Sequence, residues 1–280
     1  MSRLPHYEQF HEVRTGFPDL EEWRAFAQRY PWIYEADYVE ALARTIAERG
    51  FTSDYLGYCA PKHIEVVGRN YRETISAHGC SARSRAVLDE IAATLKHTVN
   101  ARILMLEAVT PFALAVRGRY PYALGTEYFA TTQDRARYFP VSHCDILASN
   151  FPGAVFDLVV SNDVLEHVPD LRTAMQETRR ILKPGGVCLA TFRFASGAHE
   201  TVVRAVLENG EVKHLMPAEY RGNPVDPQGG SLVFAAPGWD ILDLCRDVGF
   251  SKAEIVFSSS LQRGVVGGDV AGVHILRAEA

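Results

Sequence analysis

The chain has 280 residues, 47% of them hydrophobic and 22% charged, and a formal net charge of −5. That balance is an ordinary globular one with ample apolar material for a core, and its mildly acidic character argues against a nucleic-acid surface. No apolar run approaches the ~18 residues of a membrane span, the polar, aromatic start MSRLPHYEQFHEVRTGF lacks a signal-peptide core, and the five dispersed cysteines suit reduced thiols, so a cytoplasmic location is expected.

Residues 19–30, DLEEWRAFAQRY, place Leu20, Trp23, Phe26 and Ala27 on one helical face. After Pro31 a second helix is expected over roughly 35–48, stopping at Gly50, with Asp19 and Asp37 as candidate N-caps. This aromatic segment reads as a helical cap that buries Trp23 and Trp32, and its aromatic surface would suit a homodimer contact. Residues 51–80 are less regular. They bring Cys59 and His63 four apart and His78 and Cys80 two apart, the donor types of a zinc site. The gaps are not standard ones for zinc, and no metal is expected. SARSRAVLDEIAATLKHT is then a helix capped by Ser81 with Val87, Leu88, Ile91 and Leu95 inward. Arg72, Arg83 and Arg85 are candidates to face an anionic acceptor.

From residue 101 strands and helices alternate: RILMLEA, TPFALAVRG, YALGTEY, SHCDI, FDLVVSND, DLRTAMQETRRIL and GVCLATFRF. Elements of these lengths in this order predict an α/β fold with a doubly wound, mostly parallel sheet, whose ligand would sit outside the carboxyl ends of the strands. KPGG between a helix and a strand marks a turn that needs glycine's positive φ. A Pro- and Gly-rich loop, KHLMPAEYRGNPVDPQGG, follows; a loop this long with so many titratable groups is a candidate acceptor pocket. The helix GWDILDLCRDVGF, with Trp239, Leu242 and Cys245 inward, and two strands, KAEIVFSSS and AGVHILRAEA, close the chain. The expected organisation is an N-terminal helical and irregular cap over 1–85 and an α/β domain over 86–280.

FDLVVSNDVLEHV, ETRRILKPGGVCLATF and the acidic strand ends LMLEA and GTEY resemble the class I, Rossmann-like S-adenosylmethionine-dependent methyltransferases over roughly residues 86–280. The resemblance implies S-adenosyl-L-methionine as cofactor. It places Glu107 near the methionine end and Glu127, about twenty residues on, against the ribose diol with Tyr128 beside it. Asp145 would accept from the adenine amino group and Ile146 would offer its backbone N–H to the ring. Ser161, Asn162 and Asp163 would face the sulfonium and methionine groups. The family's glycine-rich loop after the first strand is replaced here by EAVTPFALAV. Ala108 is small, and Thr110 can cap a helix that has Pro111 at its first position, so the positive helix end is retained.

For the chemistry, His167 in LEHV is the first candidate base, and the long loop adds His214, Glu219 and Tyr220 as candidate catalytic groups. Arg193 could bind a carboxylate or phosphate on the acceptor. The expected function is methyl transfer to a small-molecule acceptor, with a place in secondary metabolism, and with neither nucleic acid nor membrane as partner. Two alternatives share the fold: a non-methyl-transfer reaction on the same cofactor, and a cofactor-free binding protein.

Overall fold

The computed structural model describes residues 12–96 and 98–280; the polar stretch 1–11, part of the chain start read above, lies outside the described residues. Two compact units are present, Met1–Thr98 with Ile255–Ile275, and Val99–Glu254 with Leu276–Ala280.

In the first unit, strand β1 (Glu12–Phe17) pairs antiparallel with residues 255–260. Helix α1 (Leu20–Arg29) starts at Asp19, whose side chain accepts from Glu22 N at 2.9 Å, the cap expected from the sequence. Helix α2 (Ala36–Arg49) has no side-chain cap: a 3₁₀ turn over Pro31–Tyr34 ends at Glu35, so Asp37 falls inside the first turn, where it can only favour the helix dipole. Short antiparallel strands β2 (Phe51–Ser53), β3 (Gly57–Cys59), β4 (Ile64–Val66), β5 (Ile75–Ala77) and β6 (Cys80–Ser81), with helix α3 (Tyr71–Thr74) between β4 and β5, make up the irregular region. Ser81 accepts from Ser84 N at 3.2 Å and starts helix α4 (Ala82–Leu95). Trp23 is buried against Phe17, Phe26, Phe257 and His274, an aromatic cluster that fixes α1 by area and edge-to-face geometry.

The second unit is the alternating part. Strand β7 (Ile103–Met105) leads through α5 (Pro111–Arg119) to β8 (Ala123–Glu127), then through α6 (Thr132–Arg137) to β9 (Ser142–His143). The chain returns to β10 (Phe156–Asn162), crosses by α7 (Leu171–Ile181) and enters β11 (Leu182–Thr191). β9, β8, β7, β10 and β11 lie side by side in that order and all run parallel. The winding direction reverses between β7 and β10, the switch point where such a sheet leaves room for a ligand beyond its carboxyl ends. β10 and the later part of β11 are buried almost throughout, which is why FDLVVSN and VCLAT read as continuous rather than alternating apolar runs. KPGG falls at the start of β11, where Gly185 has φ +76° and the register against β10 jumps between Phe156 and Leu158.

After β11 come three two-stranded ribbons. The strands β12 (Val202–Val203), β13 (Ala205–Glu208), β14 (Glu211–His214), β15 (Tyr220–Arg221), β16 (Ser231–Leu232) and β17 (Ala235–Ala236) pair as β12–β17, β13–β14 and β15–β16, all antiparallel. Helix α8 (Asp240–Asp247) follows with Trp239, Leu242 and Cys245 buried. The last two strands, β18 (Lys252–Ser260) and β19 (Val273–Glu279), each begin in one unit and end in the other; residues 276–279 of β19 pair antiparallel with β11.

Candidate active site

The loop after β7 lacks glycine but is held from several sides. The Glu107 carboxylate accepts from Asn162 Nδ2 at 2.5 Å, at the end of β10, and from Thr110 Oγ1. Thr110 Oγ1 in turn accepts from Ala113 N at 3.2 Å and caps α5, with Pro111 at the first helical position. Ala108 N and Val109 N donate to Glu127 Oε1 at 2.8 and 3.3 Å, and Arg117 donates to the Ala108 carbonyl at 3.0 Å. Gly125, inside β8, explains how the loop lies so close to its neighbour: a Cβ there would stand 2.9 Å from both Ala108 Cα and Glu107 O. The close backbone approach therefore depends on a glycine in the second strand, which nothing in the loop's own sequence announces.

Glu127 is nearly buried, and burial raises its pKa against the opposing pull of the Ala108 and Val109 N–H groups. With Oε1 occupied, Oε2 accepts no hydrogen bond from any described residue. Tyr128 beside it is exposed. At the next strand end, Asp145 Oδ1 accepts from Leu147 N at 2.9 Å, which leaves Oδ2 open, and Ile146 N–H has no acceptor among the described residues. Asp145 also lines a cavity of about 260 Å³ with Leu124, His143, Cys144 and Phe151. Beyond β10, Asp163 adopts φ +52°, a left-handed conformation that Asp tolerates better than most residues. Its Oδ1 accepts from Thr191 Oγ1 at 2.9 Å. Ser161 is buried and by strand alternation faces the opposite side of the sheet from Asn162.

His167 sits in the short 3₁₀ turn Leu165–His167 after β10. Its Nδ1 lies 2.8 Å from the Leu232 carbonyl, which can only accept, so Nδ1 carries the proton and Nε2 presents a lone pair. Burial, chiefly, and the charge of Arg221 hold the imidazole below the ordinary histidine value, despite the Leu232 bond and Asp163. Neighbouring bonds fasten the same turn: Phe234 N donates to Glu166 O at 2.8 Å and Arg193 N to Glu166 Oε1 at 3.2 Å, while Val233 N donates to Glu219 O at 2.8 Å beside it.

Residues 121–190 match the methyltransferase domain family. The match runs from β8 through β10 and α7 into β11. The chain is also similar to uncharacterised methyltransferases of Mycobacterium tuberculosis and Mycobacterium bovis, at 36% identity over 81 residues, 26% of this chain and 41% of theirs. The chain thus spans less than half the length of these curated relatives. Among solved structures, a Mesorhizobium loti S-adenosylmethionine-dependent methyltransferase is 16% identical with a TM-score of 0.44, covering 71% of this chain and 100% of its own. A Burkholderia thailandensis 1,6-didemethyltoxoflavin-N1-methyltransferase, with 1,6-didemethyltoxoflavin and S-adenosylhomocysteine bound, is 16% identical with a TM-score of 0.35, covering 67% and 75%.

The residue set of the second unit fits an adenosyl group on its own chemistry. A buried carboxylate with one unengaged oxygen suits a vicinal diol, and an open carboxylate oxygen next to a free backbone N–H suits the amino edge of a purine. Glu107, Ala108, Thr110, Glu127 and Asn162 are bonded to one another; Asp163 follows Asn162, and Asp145 and Ile146 stand at the next strand end. The candidate bases are not brought together. His214 is exposed on β14, and no described residue hydrogen-bonds its ring. Tyr220 is exposed on β15. Glu219 has a different setting from the proton acceptor expected of it. It pairs with Arg193, with Arg204 at 3.3 Å and with Arg221 at 3.3 Å. Partial burial would raise its pKa, but the three guanidinium groups outweigh that and keep it below the usual carboxylate range. It is a counter-ion, not a base.

Sequence reasoning did not single out Gly125, Arg117 or Arg204; each acts through a tertiary contact without a local pattern. In the first unit the His63 and His78 rings come within 5.4 Å, yet no group of three or more His, Cys, Asp or Glu among the described residues is arranged to hold a metal. Arg85 is buried and donates to the carbonyls of Ile75, Cys80 and Gly264, a structural brace with no free face for an acceptor.

Proposed function

We propose that the core binds S-adenosyl-L-methionine beyond the carboxyl ends of β7, β8, β9 and β10 and transfers its methyl group to a small-molecule acceptor of the kind met in secondary metabolism. The bound cofactor supplies an electrophilic methyl on a sulfonium, open to in-line displacement. Glu127 Oε2 accepts from the ribose hydroxyls while Oε1 keeps the β7 loop in place. Asp145 and the Ile146 N–H read the adenine edge, with Tyr128 flanking. Ala108, Thr110, Asn162, Asp163 and the positive end of α5 receive the methionine carboxylate and ammonium, and Glu107 sets the positions of Thr110 and Asn162. His167, neutral with its Nε2 lone pair exposed, takes the proton from the acceptor heteroatom as that atom attacks. His214 and Tyr220 contribute only as parts of the ribbons that border the acceptor.

The observation that carries this reading is the division of labour on Glu127: one oxygen bound to the loop backbone, the other unengaged at a strand end. Calorimetry with S-adenosylhomocysteine tests it. Glu127→Ala removes charge-assisted bonds of about 1.5–3 kcal/mol, so affinity is expected to fall about tenfold to a hundredfold. Unchanged affinity overturns the reading. With methyl-labelled cofactor and a panel of small nucleophiles, label is expected on a product; cofactor consumption without transfer of label favours the non-methyl-transfer alternative.

A further inference from the structure

The ribbons beside His167 hold an excess of positive charge that the cofactor does not need. Arg193 leaves the end of β11, Arg204 lies between β12 and β13, and Arg221 is on β15; all three converge on the single carboxylate of Glu219. Three guanidinium groups against one carboxylate leave a local charge of +2 in a chain whose formal net charge is −5. The donors are not used up by Glu219. Arg204 donates elsewhere only to the Pro217 carbonyl at 3.0 Å and weakly to Met216 sulfur at 3.7 Å, and its Nε is buried with no partner. The Arg193 and Arg221 side chains are 39% and 40% exposed, which leaves them within reach of a ligand from solvent.

The cluster is fastened to the turn that carries the candidate base. Arg193 N donates to Glu166 Oε1, and Arg204 N donates to Phe234 O at 2.7 Å while Phe234 N donates to Glu166 O. Arg221 is paired with Ser231, next to Leu232, whose carbonyl orients His167. A simple structural tie would need one arginine per carboxylate; three on one, two of them more than a third exposed and the third with an unpartnered buried Nε, have the chemistry of an anion receptor. We infer that Arg193, Arg204 and Arg221 form a recognition site for a carboxylate or phosphate group on the acceptor, with Glu219 holding the three guanidinium groups together and competing with the anion for them.

This inference rests on the proposed methyl-transfer site, so the test separates the two. The full chain, saturated with S-adenosylhomocysteine, is titrated with inorganic phosphate and separately with benzoate, with the Arg193→Gln, Arg221→Gln and Glu219→Gln variants alongside. At least one anion is expected to bind, about tenfold more weakly in either arginine variant and more tightly once Glu219 has lost its charge, while S-adenosylhomocysteine affinity stays unchanged. Preference for phosphate assigns a phosphate-bearing acceptor, and preference for benzoate a carboxylate-bearing one. Absence of binding by both anions, or binding indifferent to all three substitutions, overturns the inference. Because loss at an arginine could reflect damage to the ribbons, the gain at Glu219→Gln is decisive: misfolding does not tighten a ligand. Loss of S-adenosylhomocysteine binding with arginine-dependent anion binding intact would sink the cofactor assignment and leave the anion site standing.

Discussion

Around the ends of β7, β8, β9 and β10 the carboxylates are Glu107, Glu127, Asp145 and Asp163, and each is oriented by bonds from neighbouring backbone or side chains. A few residues along, beside His167, the charge is reversed: Arg193, Arg204 and Arg221 crowd one Glu219. The acidic half hangs from a rigid parallel sheet, and its placement follows from where strands stop. The basic half hangs from two-residue and four-residue ribbons tied together by a handful of backbone bonds. On the proposed reading the contrast teaches that one half can stay constant while the other varies: strand ends would hold the cofactor, and the ribbons could be rewritten to change the acceptor without disturbing it.

The sharpest way to break this contrast is His167→Asn. Loss of the base is expected to lower kcat about a hundredfold or more with a labelled acceptor, and to leave S-adenosylhomocysteine affinity as it was. A parallel fall in cofactor affinity would show that the halves are not separable. Gly125→Ala probes the other side. Its new Cβ meets backbone rather than a yielding side chain, so the Glu107–Ala108 segment must move. Cofactor affinity is expected to drop about tenfold, a loss of ~1.4 kcal/mol, in calorimetry. Thr110→Val should do less, since it removes a helix cap worth about 1 kcal/mol together with the bond to Glu107. A melting temperature lower by a few degrees and a few-fold weaker cofactor are expected. The smallest effect is on pH. Because the His167 imidazole is held below its ordinary value, the neutral, proton-accepting form predominates at neutrality. The rate should be flat from about pH 7 upward and fall only on acidification below the usual histidine range. A rate still climbing between pH 7 and 8 would contradict that setting.

The alternation of strands and helices was legible in the chain, and with it Glu107 and Glu127 at successive strand ends, while the role given to Asp145 came from the family resemblance. Thr110–Pro111 announced the helix start by local chemistry. Gly125 was not legible: its need for space arises from a neighbouring strand, whereas its own backbone is ordinary. Arg204, in VVRAV, carries no periodic or motif signal, and the grouping of three arginines on Glu219 appears only when β15 folds back on β16. Asp37 failed as a cap because the 3₁₀ turn over Pro31–Tyr34 moved the helix start back to Glu35, a shift set by proline geometry rather than by the acidic residue.

The division of the chain has a consequence for its synthesis. Buried Ile255, Val256 and Phe257 belong to the first unit, and residues 276–279, paired with β11, belong to the second, so each unit waits for sequence beyond residue 254. On the ribosome neither can close before the sequence beyond residue 254 has been made. Cutting the polypeptide near residue 98 would therefore not release two independent halves but would strand apolar residues on each.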